Sequence, residues 1–314
     1  KYGVTRDYLL GLEVVLPTGE VIHTGGKTLK SVSGYDLTRL MCGSEGTLGI
    51  ITEITVRLVP LPPAKATLQA TFSDLDDAAK TVSAIIGSGI VPATLELMDR
   101  VILDVIGDYG GAQFHEDAEA LLLIEVDGEE VLVQKQGEII ERFCKERGAV
   151  VVEKAATSEE ADKLWQARRT AFGAVASLRP NCIVEDATVP VKRLPDIIGK
   201  IVELTEKYQL KIGVLAHAGD GNLHPLIMTD LRDKDEMDRV DQALEEMYEA
   251  AMAMGGTLSG EHGIGIAKNR FMDMEFNGSA IEIMLGIKKV FDPNVILNPG
   301  SFLSIYDQIH EEKK

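Results

Sequence analysis

Apolar positions along the chain follow two periods, and the change from one to the other outlines its elements. Leu9 to Leu16 is an apolar, β-branched run, Pro17-Thr18-Gly19 turns, and Val21-Ile22 resumes. This reads as strand, turn, strand. Leu37, Leu40 and Met41 have helical spacing, and Gly43 follows as a stop, so a short helix is predicted over Asp36 to Met41. The stretch Gly43-Ser44-Glu45-Gly46-Thr47-Leu48-Gly49-Ile50-Ile51 is a glycine-rich turn feeding a strand that runs to Leu58. Pro60, Pro62 and Pro63 then interrupt regular structure and mark a domain boundary.

Beyond the prolines the pattern alternates. Strands are predicted at Ala66–Phe72, Leu121–Val126, Ala149–Glu153, Cys182–Ala187 and Ile212–His217. Helices are predicted at Leu75–Ile86, Val131–Arg147, Glu159–Ala176, Leu194–Lys207, Asp233–Met254 and Ala280–Val290. Acidic groups open several of them, with Asp74, Asp76 and Asp77 before the first and Ser158-Glu159-Glu160 before another. Negative charge suits the positive end of a helix dipole. The expected class is α+β, with helices on one face of the sheet. The polar tail from Tyr306 to Lys314 is expected to fray.

Composition narrows the function. The 314 residues exceed one small core and fit two domains. A net charge of −18 argues against nucleic acid, whose phosphates demand a basic surface. No apolar run reaches the roughly 18 residues of a membrane span. A cytoplasmic location is expected, with peripheral attachment to the membrane as a variant. Lys1 to Asp7 lacks the apolar core of a signal peptide and a starting Met, so a longer parent chain is expected. Cys42, Cys144 and Cys182 have neither metal nor redox spacing and read as buried free thiols.

Two segments carry chemistry. In the first, Ile212-Gly-Val-Leu-Ala-His217-Ala-Gly-Asp220-Gly221-Asn-Leu-His224-Pro-Leu-Ile-Met228, two apolar runs flank Asp220-Gly221. Asp-Gly favours a type I′ hairpin. With those two residues as the loop, Gly219 faces Asn222, Ala218 faces Leu223, and His217 faces His224. Facing residues share one side of the sheet with Cβ atoms about 5 Å apart, close enough for two imidazoles to hold one ion. Two unrelated histidines in a hairpin would be the bland account. In the second segment, Gly255-Gly256-Thr257-Leu258-Ser259-Gly260-Glu261-His262-Gly263-Ile264-Gly265, five glycines surround a Glu-His pair. No helix persists through that density, so the pair sits on a tight loop. The loop is either a surface turn or a presented functional pair. Taken together, two His and one carboxylate form a mixed N/O donor set suited to Zn²⁺, Mn²⁺ or Fe²⁺. His262 is then either a ligand or a general base working near neutral pH.

His217-Ala-Gly-Asp-Gly-Asn-Leu-His224 and Ser259-Gly-Glu261-His262-Gly-Ile-Gly resemble the two signatures of the FAD-linked oxidase C-terminal domain family. That family includes D-lactate dehydrogenases, the glycolate oxidase flavin subunit and D-2-hydroxyglutarate dehydrogenases. Tyr35-Asp36-Leu37, the Gly43–Ile50 stretch and Leu297-Asn298-Pro299-Gly300 are similar to parts of the same proteins. The resemblance implies that residues 1–60 are the later portion of a vanillyl-alcohol-oxidase-type FAD-binding domain. Residues 61–290 would be the substrate and metal domain, with an antiparallel sheet, and 291–314 a return to the flavin and a tail. It implies FAD and one divalent metal as cofactors. His217, His224 and Glu261 match the metal ligands, His262 the catalytic base, and Arg168 the clamp on the substrate carboxylate. Gly43, Ser44, Gly46, Thr47, Gly49, Ile50 and Asn298 match cofactor-binding positions.

The implied reaction is oxidation of a small D-2-hydroxy acid to the 2-oxo acid. The metal assists alkoxide formation, and hydride passes to FAD. An electron-transferring flavoprotein, an iron–sulfur subunit or a quinone would take the electrons. From the residues alone, Arg168 lies three positions after Trp165 on one helix face and would pass for a surface residue. Hydroxyglutarate-type members carry polar contacts at positions that hold Phe172, Val184 and Leu226 here, so a monocarboxylate such as lactate or glycolate is expected. Gly25-Gly26-Lys27-Thr28 lacks Walker spacing and is not a phosphate loop. The phosphate-binding loop of the family is expected upstream of Lys1. A metal-dependent hydrolase and a metal-stabilised docking domain for an electron-transfer partner are the competing readings.

Overall fold

The computed structural model describes residues 1–110 and 114–301. The expected fraying of Tyr306 to Lys314 lies outside the described residues. By contacts the chain divides into two compact units. One comprises Lys1 and Pro62–Gly260, the other Tyr2–Leu61 and Glu261–Lys314. The first division falls within the proline cluster, between Leu61 and Pro62, and the second follows Gly260, so by contacts residues 261–290 group with the N-terminal segment.

In the N-terminal segment, β1 (Leu9–Val15), β2 (Val21–Gly25) and β3 (Ile50–Val56) form an antiparallel sheet in the order β2-β1-β3. Helix α1 (Leu37–Met41) starts where Asp36 accepts the amide N–H of Arg39.

The larger unit begins with β4 (Ala64–Phe72), α2 (Leu75–Gly87), β5 (Thr94–Asp99) and α3 (Arg100–Gly110). It continues with β6 (Ala120–Gly128), α4 (Glu130–Glu146), β7 (Ala149–Lys154), α5 (Ser158–Leu178), β8 (Asn181–Val184) and β9 (Ala187–Thr188). It ends with α6 (Leu194–Tyr208), β10 (Lys211–His217), β11 (Asn222–Thr229) and α7 (Lys234–Ala253). Its sheet runs β7-β4-β6-β5-β10-β11-β8 with β9 also on β11, and every pairing is antiparallel. Helix starts follow the acidic and hydroxyl signals: Asp74, Thr157 and Asp233 each accept first-turn backbone N–H groups.

Helices on one face only were expected, but the sheet is covered on both. Strands buried along nearly their whole length, such as β6 and β11, need partners above and below. Ile102 and Ile106 of α3 and Ala171, Ala174 and Val175 of α5 pack with Met98, Leu121, Leu215 and Leu226. Leu97 and Leu122, the alternate residues, are also fully buried, and α2, α4 and α6 meet the strands.

After Gly260 come α8 (Met272–Glu275) and α9 (Gly278–Phe291), the latter capped by Asn277. Ile287 and Phe291 of α9 pack with Leu12, Val14, Met41 and Leu48, so the N-terminal sheet finds its core in the far end of the chain. Of the cysteines, only Cys144 is buried; Cys42 and Cys182 are half-buried, which corrects the expectation for those two.

Candidate active site

The histidine hairpin forms with a different register. His217 faces Asn222, Ala216 faces Leu223, and Leu215 faces His224. The loop is therefore Ala218–Gly221, not Asp220-Gly221 alone. A type I′ turn needs positive φ at both centres. Gly221 has φ 82°, and Asp220 is not among the residues with positive φ. Outside contacts shape the loop instead: Gly219 N–H donates to Leu95 O at 3.2 Å, and Val189 N–H donates to Gly221 O at 3.1 Å. A Cβ on Gly221 would lie 2.0 Å from Val189 O, which leaves only glycine there.

The shift is two residues, so side-chain parity is preserved. Leu215 shares a face with both His217 and His224, which makes the histidines diagonal neighbours. Their ring centroids are 5.1 Å apart, with planes at 87°. His224 Nδ1 lies 3.2 Å from the carbonyl oxygen of Glu185, whose carboxylate is the acceptor for the buried Tyr248 hydroxyl. His217 Nδ1 lies 2.6 Å from Glu96 Oε1.

Glu96 was not recognised in the sequence, although a charge inside the apolar run Leu95–Met98 is a signal that a partner must exist. It faces His217 directly across β5 and β10 and is 3% exposed. Burial alone raises its pKa. The hydrogen bond with His217 and the charge of Arg168 outweigh burial and hold the carboxyl below its ordinary value. Arg168 Nε donates to Glu96 Oε2 at 2.7 Å. Trp165, one helical turn earlier, donates its indole N–H to Glu125 Oε2 at 3.3 Å. Arg168 is thus turned toward the sheet, with a fifth of its side chain exposed.

The segment leading to the Glu-His pair is threaded against the hairpin. Thr257 and Thr188 exchange backbone hydrogen bonds, and Thr188 Oγ1 donates to Asn222 Oδ1 at 3.0 Å. A Cβ on Gly256 would sit 2.2 Å from Thr188 O, and one on Gly260 would sit 2.2 Å from Thr188 Oγ1. Close backbone approach explains both glycines. Glu261 is the next residue along the chain.

In the other unit, Glu261 and His262 are exposed, with His262 Nε2 3.8 Å from Glu261 Oε1. The following backbone is pinned: Glu45 carboxylate oxygens accept the N–H groups of Ile264 and Gly265, each at 2.8 Å. Glu45 itself has φ 52°. Gly263, φ 89°, leaves no room for a Cβ, which would meet Glu45 Oε1 at 2.8 Å.

The proposed cofactor positions lie in this same unit, and the protein gives several of them packing duties. A Cβ on Gly43 would meet Arg6 Nη2 at 2.7 Å, one on Gly46 would meet Asn298 Nδ2 at 2.7 Å, and one on Gly49 would meet Val14 Cγ1 at 2.5 Å. Asn298 Nδ2 donates to Glu45 O at 2.6 Å. Ser44 and Thr47 are buried, with Thr47 Oγ1 donating to Ser44 O at 2.6 Å, whereas Ile50 is exposed on β3. Lys288 and Asp292, also unforeseen, form a buried pair beneath this turn. Lys288 donates to Thr47 O at 2.8 Å, and Asp292 accepts Leu297 N–H at 2.8 Å.

The fold is that of the vanillyl-alcohol-oxidase-type flavoproteins. p-Cresol methylhydroxylase with substrate bound superimposes with a TM-score of 0.73 over 96% of this chain and 66% of that one, at 18% identity. Alkyldihydroxyacetonephosphate synthase gives 0.62 over 95% and 54%, at 17% identity. The chain belongs to the FAD linked oxidases, C-terminal domain family, which its residues 61–302 match. It is 51% identical to the glycolate oxidase subunit GlcD of Bacillus subtilis (strain 168), across 97% of this chain and 65% of that protein. It is 39% identical to GlcD of Escherichia coli (strain K12), across 96% and 60%. With the mitochondrial D-lactate dehydrogenase [cytochrome] of Arabidopsis thaliana it shares 35% identity, across 96% and 53%. The chain spans less than two thirds of the length of these relatives. Among the described residues, no helix is long and apolar enough to cross a membrane.

Proposed function

We propose that this chain provides the substrate and metal site of a flavin-dependent dehydrogenase that oxidises glycolate or D-lactate to the 2-oxo acid. The observation that carries the reading is the diagonal histidine pair, with rings 5.1 Å apart and each Nδ1 already engaged. Such engagement directs Nε2 toward an ion. His217 and His224 would hold a divalent metal (Zn²⁺, Fe²⁺ or Mn²⁺), with Glu261, which follows Gly260 in the chain, as third ligand. When bound, the metal supplies Lewis acidity and FAD supplies a two-electron acceptor.

Arg168 pairs with the substrate carboxylate, as a guanidinium fork does best. His262 removes the 2-hydroxyl proton. The apolar positions support a small monocarboxylate. Val184 faces Leu226 across β8 and β11, Leu226 lies two residues past His224 on its face, and Phe172 offers no charge. A second carboxylate would be left without a partner there. Gly43, Ser44, Gly46, Thr47, Gly49, Ile50 and Asn298 are assigned to the flavin side. Reoxidation falls to an electron-transferring flavoprotein, an iron–sulfur subunit or a quinone, and a cytoplasmic location, with peripheral attachment to the membrane as a variant, belongs to the same proposal.

The test is anaerobic flavin bleaching by the complete protein against a panel of 2-hydroxy acids. Rapid bleaching by glycolate or D-lactate, with little by D-2-hydroxyglutarate, is the expected result. Bleaching by none of them, or fastest by the dicarboxylate, would overturn it.

A further inference from the structure

Glu96 stands between two residues of the site just proposed, and its two oxygens are divided between them. Oε1 faces His217 Nδ1 at 2.6 Å, and Oε2 takes the Nε–H of Arg168 at 2.7 Å. We propose that Glu96 is a positioning residue that sets the donor nitrogen of His217 and the aim of Arg168 together. The inference rests on the metal-site reading and deepens it.

The argument begins with proton inventory. An ionised carboxylate only accepts hydrogen bonds, so the ring nitrogen facing it carries the hydrogen. That puts a proton of His217 on Nδ1 and leaves Nε2 as the nitrogen a metal would take. A guanidinium has a side edge, which includes Nε, and an end formed by its two terminal nitrogens. Glu96 holds the side edge at Nε, and it is the hydrogen-bond partner of Arg168 among the described residues. The end is thereby aimed for bidentate pairing with a substrate carboxylate. One buried side chain, in direct register with His217, thus serves both the metal and the carboxylate of the substrate.

Glu125 provides the contrast. It lies on the same sheet face, since Thr94 pairs with Glu125 and Glu96 follows Thr94 by two. Its Oε2 accepts from Thr67 Oγ1 at 2.9 Å and from the Trp165 indole at 3.3 Å, and lies 3.5 Å from Lys65 Nζ. That carboxylate ties α5 to the sheet without touching a proposed ligand or clamp.

The experiment compares Glu96→Gln with Glu125→Gln in the complete flavoprotein. Zn²⁺ affinity is measured by competition with a chromophoric chelator, alongside KM and kcat for glycolate. An amide must turn its NH₂ toward one partner, so it cannot satisfy both. Glu96→Gln is expected to weaken Zn²⁺ binding about 10–100-fold, the size of effect seen when such outer partners of metal ligands are lost. It should also raise KM for glycolate. Glu125→Gln should lower the melting temperature and leave Zn²⁺ affinity within about twofold. Wild-type Zn²⁺ affinity in Glu96→Gln overturns the proposal while leaving the metal site standing. Absence of Zn²⁺ binding in the wild type overturns both.

A second measurement needs no folded Glu96 variant. In ¹⁵N-histidine-labelled wild type at neutral pH, the His217 ring, assigned by its loss in His217→Gln, should show the Nδ1–H tautomer. The Nε2–H tautomer would refute the assignment.

Discussion

The hairpin that carries His217 and His224 and the glycine loop that carries Glu261 and His262 orient their groups by opposite means. In the hairpin, each imidazole is held through its own ring: one by the Glu96 carboxylate, the other by the Glu185 carbonyl that Tyr248 steadies from behind. In the loop, Glu261 and His262 are exposed, and what is fixed is the backbone just beyond them, by a single carboxylate from Glu45. A group that must present one nitrogen to an ion benefits from a locked tautomer and rotamer. A group that must accept and return a proton benefits from contact with water. On the proposed reading, the first region fixes two imidazole ligands, and the second carries Glu261 as third ligand and His262 as the base.

The sharpest way to break that division is His262→Ala in the complete protein. The reductive half-reaction should slow by about 10²–10⁴-fold, while metal content by elemental analysis stays at the wild-type level. Loss of metal together with rate would place His262 among the ligands and erase the distinction.

The hairpin's supporting strand brings a pH dependence of its own. Burial pushes the Asp99 carboxyl up to about 7, against the pull of the Ile102 and Val214 N–H groups it accepts. Unfolded, it titrates near 3.9. Its contribution to stability is therefore fully present below about pH 4 and is lost as pH rises through about 7. Melting temperature should fall over that window by an amount worth no more than about 4 kcal/mol. Asp99→Asn should flatten the slope, and an unchanged slope would assign the dependence to other groups.

Tyr248→Phe probes the rear support of His224. It removes a donor from a buried carboxylate, at a cost of about 1–3 kcal/mol. Chemical denaturation should show that loss, with metal still bound. The smallest effect is expected in the loop. Gly263→Ala imposes a left-handed residue and crowds Glu45, which should cost about 1–2 kcal/mol and slow turnover more than it lowers metal content. A Gly263→Ala protein that loses its metal as completely as His217→Ala would show that the loop, not the hairpin, holds the ion.

Much of the fold was legible because its signals are local. Helices α2, α5, α7 and α9 declared themselves through apolar spacing, and acidic starts marked α2 and α5. Strand β5 and helix α3 did not, because Leu95 to Ile106 passes from strand to helix with no turn residue between them. Asp99 ends the strand and, through Ile102 N–H, opens the helix. The hairpin was legible in kind and in face but not in register, since contacts from Leu95 and Val189 set its loop. Glu96 illustrates the general limit. It meets His217 across a separation of 121 residues, and no local pattern reports such a pairing.

The association of α9 with the first three strands also bears on how the protein is made. Lys288 reaches the carbonyl of Thr47 across 241 residues of chain. A ribosome adding about 5–20 residues per second needs roughly ten to fifty seconds to cover that interval. Through that time the nascent β1–β3 sheet has Leu12, Val14 and Leu48 made but not the Ile287 and Phe291 that cover them. The β1–β3 sheet is thus completed only when the far end of the chain has been made.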